Sequence, residues 1–180
     1  MKTRQPLVLT ACIAEADLTP FDLLRKQHFP RGRNFLAAHL TMFHRLPGEY
    51  AGRILADMDG IARRTPPFAA AVSGLRHLGE GVAYSIESPA LEDIRALLKT
   101  AFGHWLGSQD RRPWQPHITI QNRASKPEAD ALHAELSARF QPRTIGLAGL
   151  DLWYYRGGPW QKLGHVPFTG SLPWPPQASA

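Results

Sequence analysis

Two stretches of the chain repeat one pattern of chemically capable side chains. The first is His39-Leu40-Thr41-Met42-Phe43-His44-Arg45; the second is His117-Ile118-Thr119-Ile120-Gln121-Asn122-Arg123. Both read histidine, apolar, threonine, apolar, two variable positions, arginine. On an extended strand side chains alternate faces, so His39 and Thr41 project together while Leu40 and Met42 project oppositely. The same alternation sets His117 and Thr119 against Ile118 and Ile120. Each segment therefore buries one apolar face and offers an imidazole beside a hydroxyl on the other. Threonine suits this place because its β-branch stiffens χ1 and favours extended backbone, which holds the hydroxyl still.

Brought face to face, two such strands supply two imidazoles and two hydroxyl donors around one small anion. A phosphodiester fits that description. One neutral histidine can take the proton from an attacking hydroxyl or water, and the other, protonated, can deliver a proton to the departing alkoxide. The threonine hydroxyls can hydrogen-bond the non-bridging oxygens, where charge concentrates in the transition state. An ordinary histidine pKa of about 6.5 lets both protonation states exist near neutral pH. This division of labour requires no metal and no cofactor. Regular alternation sets His39 and His44, five apart, on opposite faces where they cannot share an ion, and no His-Glu-x-x-His helix is present.

The paired motifs resemble those of the two-histidine phosphoesterases, which include the 2′-5′ RNA ligase and cyclic nucleotide phosphodiesterase families. Their signature is a pair of His-x-Thr-x motifs with apolar residues at the variable positions, one in each half of the chain. The resemblance implies an α+β fold that is bilobal, with two antiparallel sheets facing a central cleft and helices outside. It implies His39 and His117 as the acid/base pair, Thr41 and Thr119 as phosphate holders, and RNA ends or small cyclic-phosphate nucleotides as substrates. Many relatives carry an arginine five places after the second histidine. Here Asn122 stands there and Arg123 follows one place later, with Arg45 at the equivalent place of the first motif. A one-residue shift on a strand points a side chain to the other face unless a bulge intervenes. Phe43 and Gln121 share the faces of the motif histidines and either touch a base or ribose or pack the cleft. Trp160, at the end of a hairpin, either stacks on a nucleobase or packs that hairpin. The rival reading is an RNA- or nucleotide-binding module without turnover.

The elements that must position these residues follow from periodicity. Residues 7–15, 35–43, 68–76, 81–87, 115–121, 144–155 and 160–168 read as strands. Helices are expected over 20–28, opened by Pro20; over 49–64, stopped by Pro66-Pro67; after Ser88-Pro89; and from the capping box Ser125-Lys126-Pro127-Glu128 through Phe140. Gln109 to Pro113 reads as a basic loop, whose Arg111 and Arg112 are placed to steer phosphates. Residues 1–170 are expected to form a single bilobal domain, and the Pro- and Ser-rich stretch 171–180 an unstructured tail. With 180 residues, 43% hydrophobic and 20% charged, the chain has a globular composition. Twenty-one basic against fifteen acidic side chains give +6, weak support for an anionic ligand. One cysteine, Cys12, excludes an internal disulfide and reads as a buried thiol. The apolar stretch before it is too short for a signal core, and no run reaches a membrane span, so a soluble cytoplasmic protein is expected.

Overall fold

The computed structural model describes residues 5–171, so the tail expected over 171–180 lies, from residue 172 on, outside the described residues. Strand β1 (Pro6–Ile13) shows the expected alternation: Leu7, Leu9, Ala11 and Ile13 join the core cluster, and Val8, Thr10 and Cys12 take the other face. Helix α1 (Glu15–His28) starts before Pro20, the residue expected to open it. The earlier start is possible because Asp17 and Leu18 donate their N–H groups to the Ala14 carbonyl, and the Asp17 carboxylate accepts the N–H of Gly146 at 2.7 Å. A proline in the second turn then forfeits a single backbone hydrogen bond.

Residues expected to begin the second strand at 35 stay irregular as far as His39, and β2 runs Leu40–Pro47. Helix α2 (Ala51–Ala62) buries Ile54, Met58, Ile61 and Ala62 at helical spacing. Strands β3 (Phe68–His77) and β4 (Val82–Glu87) form a hairpin whose turn needs Gly79, at φ +88°. Ser88 caps α3 (Pro89–Phe102) by accepting the N–H of Leu91. Part of the expected basic loop winds into a single turn, α4 (Ser108–Arg111), ahead of β5 (His117–Gln121). The capping box forms on α5 (Lys126–Ala138), and β6 (Arg143–Tyr154) and β7 (Gln161–Pro167) complete the chain. No described helix is long and apolar enough to cross a membrane.

The strands form one antiparallel sheet in the order β1-β2-β5-β4-β3-β6-β7, and an additional β1–β6 pairing closes six of them into a barrel. The α+β class stands, but one continuous sheet replaces the two separate sheets expected. The reason is the length of β6, twelve residues: Arg143 to Leu147 pair with β3, and Leu147 to Tyr154 pair with β1. A strand that long spans both halves. The other seam, β2 to β5, has one registered pair, Leu40 with Ile118. Helix α1 lies against β5 and β6, α2 against β6 and β7, and α5 against β3 and β4.

Two buried guanidiniums reinforce that narrow seam. Arg25 of α1 is 4% exposed and donates to the side chain of Asn34, the carbonyl of Leu36 and the carbonyl of Thr119, each at 3.0 Å. Arg95 of α3 is 6% exposed and donates to the carbonyls of Met42 and Asp110, also at 3.0 Å. Its guanidinium lies over the rings of Phe43 and Trp114. The Trp114 indole in turn donates to the Thr41 carbonyl at 3.1 Å.

Leu40 is fully buried at the seam, whereas Leu23 is 61% exposed on α1. Leu40→Ala is expected to lower the unfolding free energy by about 2–5 kcal/mol through lost burial and a residual cavity. Leu23→Ala is expected to change it by no more than about 0.5 kcal/mol. Urea titration of both variants checks the contrast.

Candidate active site

The register at the seam determines how the motifs meet. Leu40 pairs with Ile118 in an antiparallel ladder. Continuing that register puts the backbone of His39 beside Thr119 and that of Thr41 beside His117. Diagonal neighbours across such a pair lie about 7–8 Å apart, which is the relation between His39 and His117. All four side chains line one cleft of 750 Å³.

Both imidazoles are held the same way. His39 Nδ1 donates to the carbonyl of Ala37 at 2.8 Å, and His117 Nδ1 donates to the carbonyl of Gln115 at 2.7 Å. In each case the partner sits two residues upstream. A carbonyl only accepts, so each neutral ring keeps its proton on Nδ1 and its lone pair on Nε2. The two threonine hydroxyls have no partner among the described residues and remain free to donate to an oxyanion.

Burial pushes the His39 imidazole down to about 4; its hydrogen bond to Ala37 opposes this, and the charges of Arg25, His117 and His44 add to it. His117 is lowered too, first by burial and further by Arg76 and His44, against its hydrogen bond to Gln115. Arg76, Arg95, Arg112 and Arg123 also line the cleft. Arg111 turns away to the carbonyls of Leu106 and Gly103.

Strand irregularities redistribute the other expected residues. Leu9 pairs with Phe43 but Thr10 with Thr41, a register shift that breaks the alternation of β2. Phe43 consequently lies in the core against Phe102, not in the cleft. Arg45 is exposed outside the cleft, its N–H bonded to Asp110. Gln121 is buried away from the cleft, because Val82 pairs with it while Ala83 pairs with Thr119. Arg123 reaches the cleft from a left-handed turn at φ +58°, and Trp160 lies against His39 with ring centroids 4.6 Å apart.

The same break in β2 brings His44 to the cleft, contrary to the alternation expected of it. Its Nδ1 meets Asp110 Oδ1 at 3.0 Å, and Asp110, 1% exposed, also accepts the backbone N–H groups of His44 and Arg45. Burial alone would raise the Asp110 pKa, but the hydrogen bonds from His44 and Arg45 outweigh it and hold it below the usual range. No spacing in the sequence links Asp110 to His44. One group of metal-ligating side chains occurs among the described residues: Cys12, Asp151 and His165 have ligand atoms within 4.8 Å of one another. Asp151 there is already paired with Lys162 at 2.9 Å and with His165 at 2.8 Å, a partner the sequence did not suggest for His165.

A family model described as the 2′-5′ RNA ligase superfamily matches residues 13–159. The chain belongs to that superfamily. The matched span takes in both motifs and most of the barrel. Among solved structures, TT0787 of Thermus thermophilus superposes with a TM-score of 0.67 at 18% identity, covering 93% of this chain and 100% of that one. Escherichia coli LigT complexed with 3′-AMP gives a TM-score of 0.64 at 18% identity, covering 92% of this chain and 98% of that one. LigT complexed with phosphate gives 0.61 at 16% identity, covering 93% and 99%. At these identities the likeness is one of fold, and it extends over more than nine-tenths of this chain. No curated protein matches its sequence.

The lowered histidine pKa values carry a stability consequence. In the unfolded chain these rings gain protons below about 6.5, whereas folded His39 stays neutral down to about 4. Over that window the unfolded state binds more protons, so stability falls as pH drops through it. His39→Gln is expected to flatten this fall, and His117→Gln to act in the same direction, as read by urea denaturation across the window.

Proposed function

We propose that the protein is a metal-independent phosphoesterase that opens 2′,3′-cyclic phosphates on RNA ends or small nucleotides. The observation that carries this reading is the duplicated arrangement of His39 with Thr41 and His117 with Thr119 around one cleft, each ring held through Nδ1 with Nε2 left for chemistry. LigT has been solved with 3′-AMP, NADP+, ATP and phosphate, which supports a nucleotide phosphate as the ligand class here. In this reading residues 1–170 act as one bilobal unit, with β1 and β2 on one side of the cleft, β3 to β5 on the other, and β6 joining the two. It works in the cytoplasm on soluble substrates.

The cyclic phosphate sits between the rings, with the Thr41 and Thr119 hydroxyls donating to its non-bridging oxygens. His39, the ring held more firmly neutral, takes a proton from water through Nε2 as the water oxygen bonds to phosphorus. The P–O3′ bond breaks, and His117, protonated at Nε2, gives its proton to the departing O3′. The product is a 2′-phosphomonoester, and exchange with solvent resets both rings. Arg76, Arg112 and Arg123 draw the anion in and offset its charge. Arg45, Phe43 and Gln121 have no part in this scheme, whereas Trp160 closes the cleft beside His39. A 5′-hydroxyl in place of water follows the same steps and forms a 2′-5′ linkage without ATP. The Arg-lined cleft favours this extension because its volume exceeds the need of one phosphate. A module that binds nucleotides without turnover would leave the free Nε2 atoms unused.

Incubation with an oligonucleotide ending in a 2′,3′-cyclic phosphate, in EDTA, is expected to give the 2′-phosphate. His39→Ala and His117→Ala are each expected to reduce kcat by about 10²–10⁴-fold. The pH–rate profile is expected to be bell-shaped, with the acid limb lost in the His39 variant and the alkaline limb in the His117 variant. No turnover by the wild type, or unchanged turnover in both variants, refutes the reading.

A further inference from the structure

A second cavity, of 270 Å³, adjoins the catalytic cleft and shares His39 and Trp160 with it. Its floor comes from two adjacent strands, where Thr10 of β1 pairs with Asp151 of β6; His165 of β7, outside the lining, pairs with Asp151 in turn. Its walls are apolar and include Leu18, Phe35, Trp153 and Pro159. We infer that this cavity is the subsite for the nucleobase of the nucleotide whose phosphate lies at His39, and that its floor selects guanine. The inference rests on the phosphoesterase reading for the position of the phosphate, and adds which part of the substrate is recognised and by what.

Four observations converge on a base. First, size: the cavity falls just below the roughly 300–1,000 Å³ typical of drug-sized ligands, so it suits one ring system rather than a chain of nucleotides. Second, flat surfaces stand ready for stacking. Phe35 is 59% exposed and has no aromatic partner among the described residues, and Trp160 presents its ring beside His39. Third, the Trp160 indole nitrogen is buried with no hydrogen-bond partner among the described residues, a cost that a ligand acceptor would relieve.

The fourth observation is the floor itself. Asp151 is 6% exposed among mostly apolar walls; its Oδ1 accepts from both Lys162 and His165, and the Cys12 thiol also bonds to the carboxylate. A carboxylate has about four acceptor positions, so with three donors in place this one retains room for one from a ligand. Thr10 Oγ1 accepts the Trp153 indole N–H at 2.9 Å and keeps its own proton to donate. The floor thus pairs an anionic acceptor with a hydroxyl donor. Guanine matches both, because its ring N–H and amino group lie side by side next to a carbonyl. A phosphate would be repelled by Asp151, which separates this cavity from the arginine-lined cleft in ligand class.

Calorimetric titration of the full chain with guanosine 2′-monophosphate, uridine 2′-monophosphate and base-free ribose 2-phosphate tests the inference without requiring turnover. The wild type is expected to bind the guanosine nucleotide at least about tenfold tighter than ribose 2-phosphate, the scale of one base stacked on aromatic rings. Phe35→Ala, on an exposed ring with little risk to folding, is expected to remove most of that advantage and leave ribose 2-phosphate binding unchanged. Asp151→Asn is expected to reduce the preference for guanosine over uridine by about tenfold. Equal wild-type affinity for base-free and base-bearing ligands, or an advantage that survives Phe35→Ala, overturns the inference even if cyclic phosphates are hydrolysed. Base-dependent binding without hydrolysis of any cyclic phosphate sustains the subsite and refutes the phosphoesterase reading instead.

Discussion

The antiparallel pairing of Leu40 with Ile118 is the constraint on which the rest of the structure depends. An antiparallel ladder has a local two-fold axis through its paired residues. When the same His-x-Thr motif is written on both strands and centred on that axis, each histidine comes beside the other strand's threonine. A parallel pairing would set histidine beside histidine and threonine beside threonine. The duplicated motif therefore yields an alternating arrangement of two imidazoles and two hydroxyls, which is what a tetrahedral anion needs on its opposite sides. Leu40 and Ile118 are both fully buried, so the axis is anchored in the core while the chemistry faces the cleft.

A seam with one registered pair is a weak ladder, and the molecule strengthens it with side chains. The tethers cross over: α1 belongs to the first half of the chain, yet its Arg25 holds the carbonyl of Thr119 in the second motif. Helix α3 follows the β3–β4 hairpin, and its Arg95 holds the carbonyl of Met42 in the first. Burying a guanidinium is costly unless its donors are satisfied, and these bond to carbonyls and lie over aromatic faces. Burial draws Arg25 down to about 10, which still leaves it charged at neutral pH. Each motif is thus held by a helix from the other half, and neither strand can shift its carbonyls without breaking contacts to a distant element.

Local signals in the sequence were legible wherever one residue type has one strong conformational consequence. The cap at Ser88, the capping box at Ser125, the stripes of α2 and α3 and the alternation of β1 all follow from such rules. Parity along β2 and β5 held through Met42 and Ile120, which are buried as expected. Beyond them the register shifts, and the two-residue period that predicts Phe43 and Gln121 for the cleft no longer applies. A bulge depends on what the partner strand does, and that is a long-range property. The same limit hid Asp110, Arg95 and Arg76, which reach the site from α4, α3 and β3 through the closed sheet. The expectation of two sheets failed for a related reason: the length of a strand is visible in sequence, but the number of partners it serves is not.

The electrostatics of the cleft couple substrate to proton. His39 and His117 are surrounded by burial and by cations, with Arg25, Arg76 and His44 all acting against protonation. Their hydrogen-bond partners are neutral carbonyls, so neither ring has a built-in carboxylate to stabilise an imidazolium. In the proposed reaction the missing negative charge is the one the phosphodiester brings. A bound anion between the rings favours the charged form of whichever imidazole it touches, and by linkage proton uptake then strengthens anion binding. An acid/base pair built this way is at rest while the cleft is empty and becomes charged when an anion of the right class arrives. In the proposed reaction, two histidines that stay neutral in an empty cleft, where a permanent imidazolium would be costly, still present a proton donor to the leaving oxygen when the anion is bound.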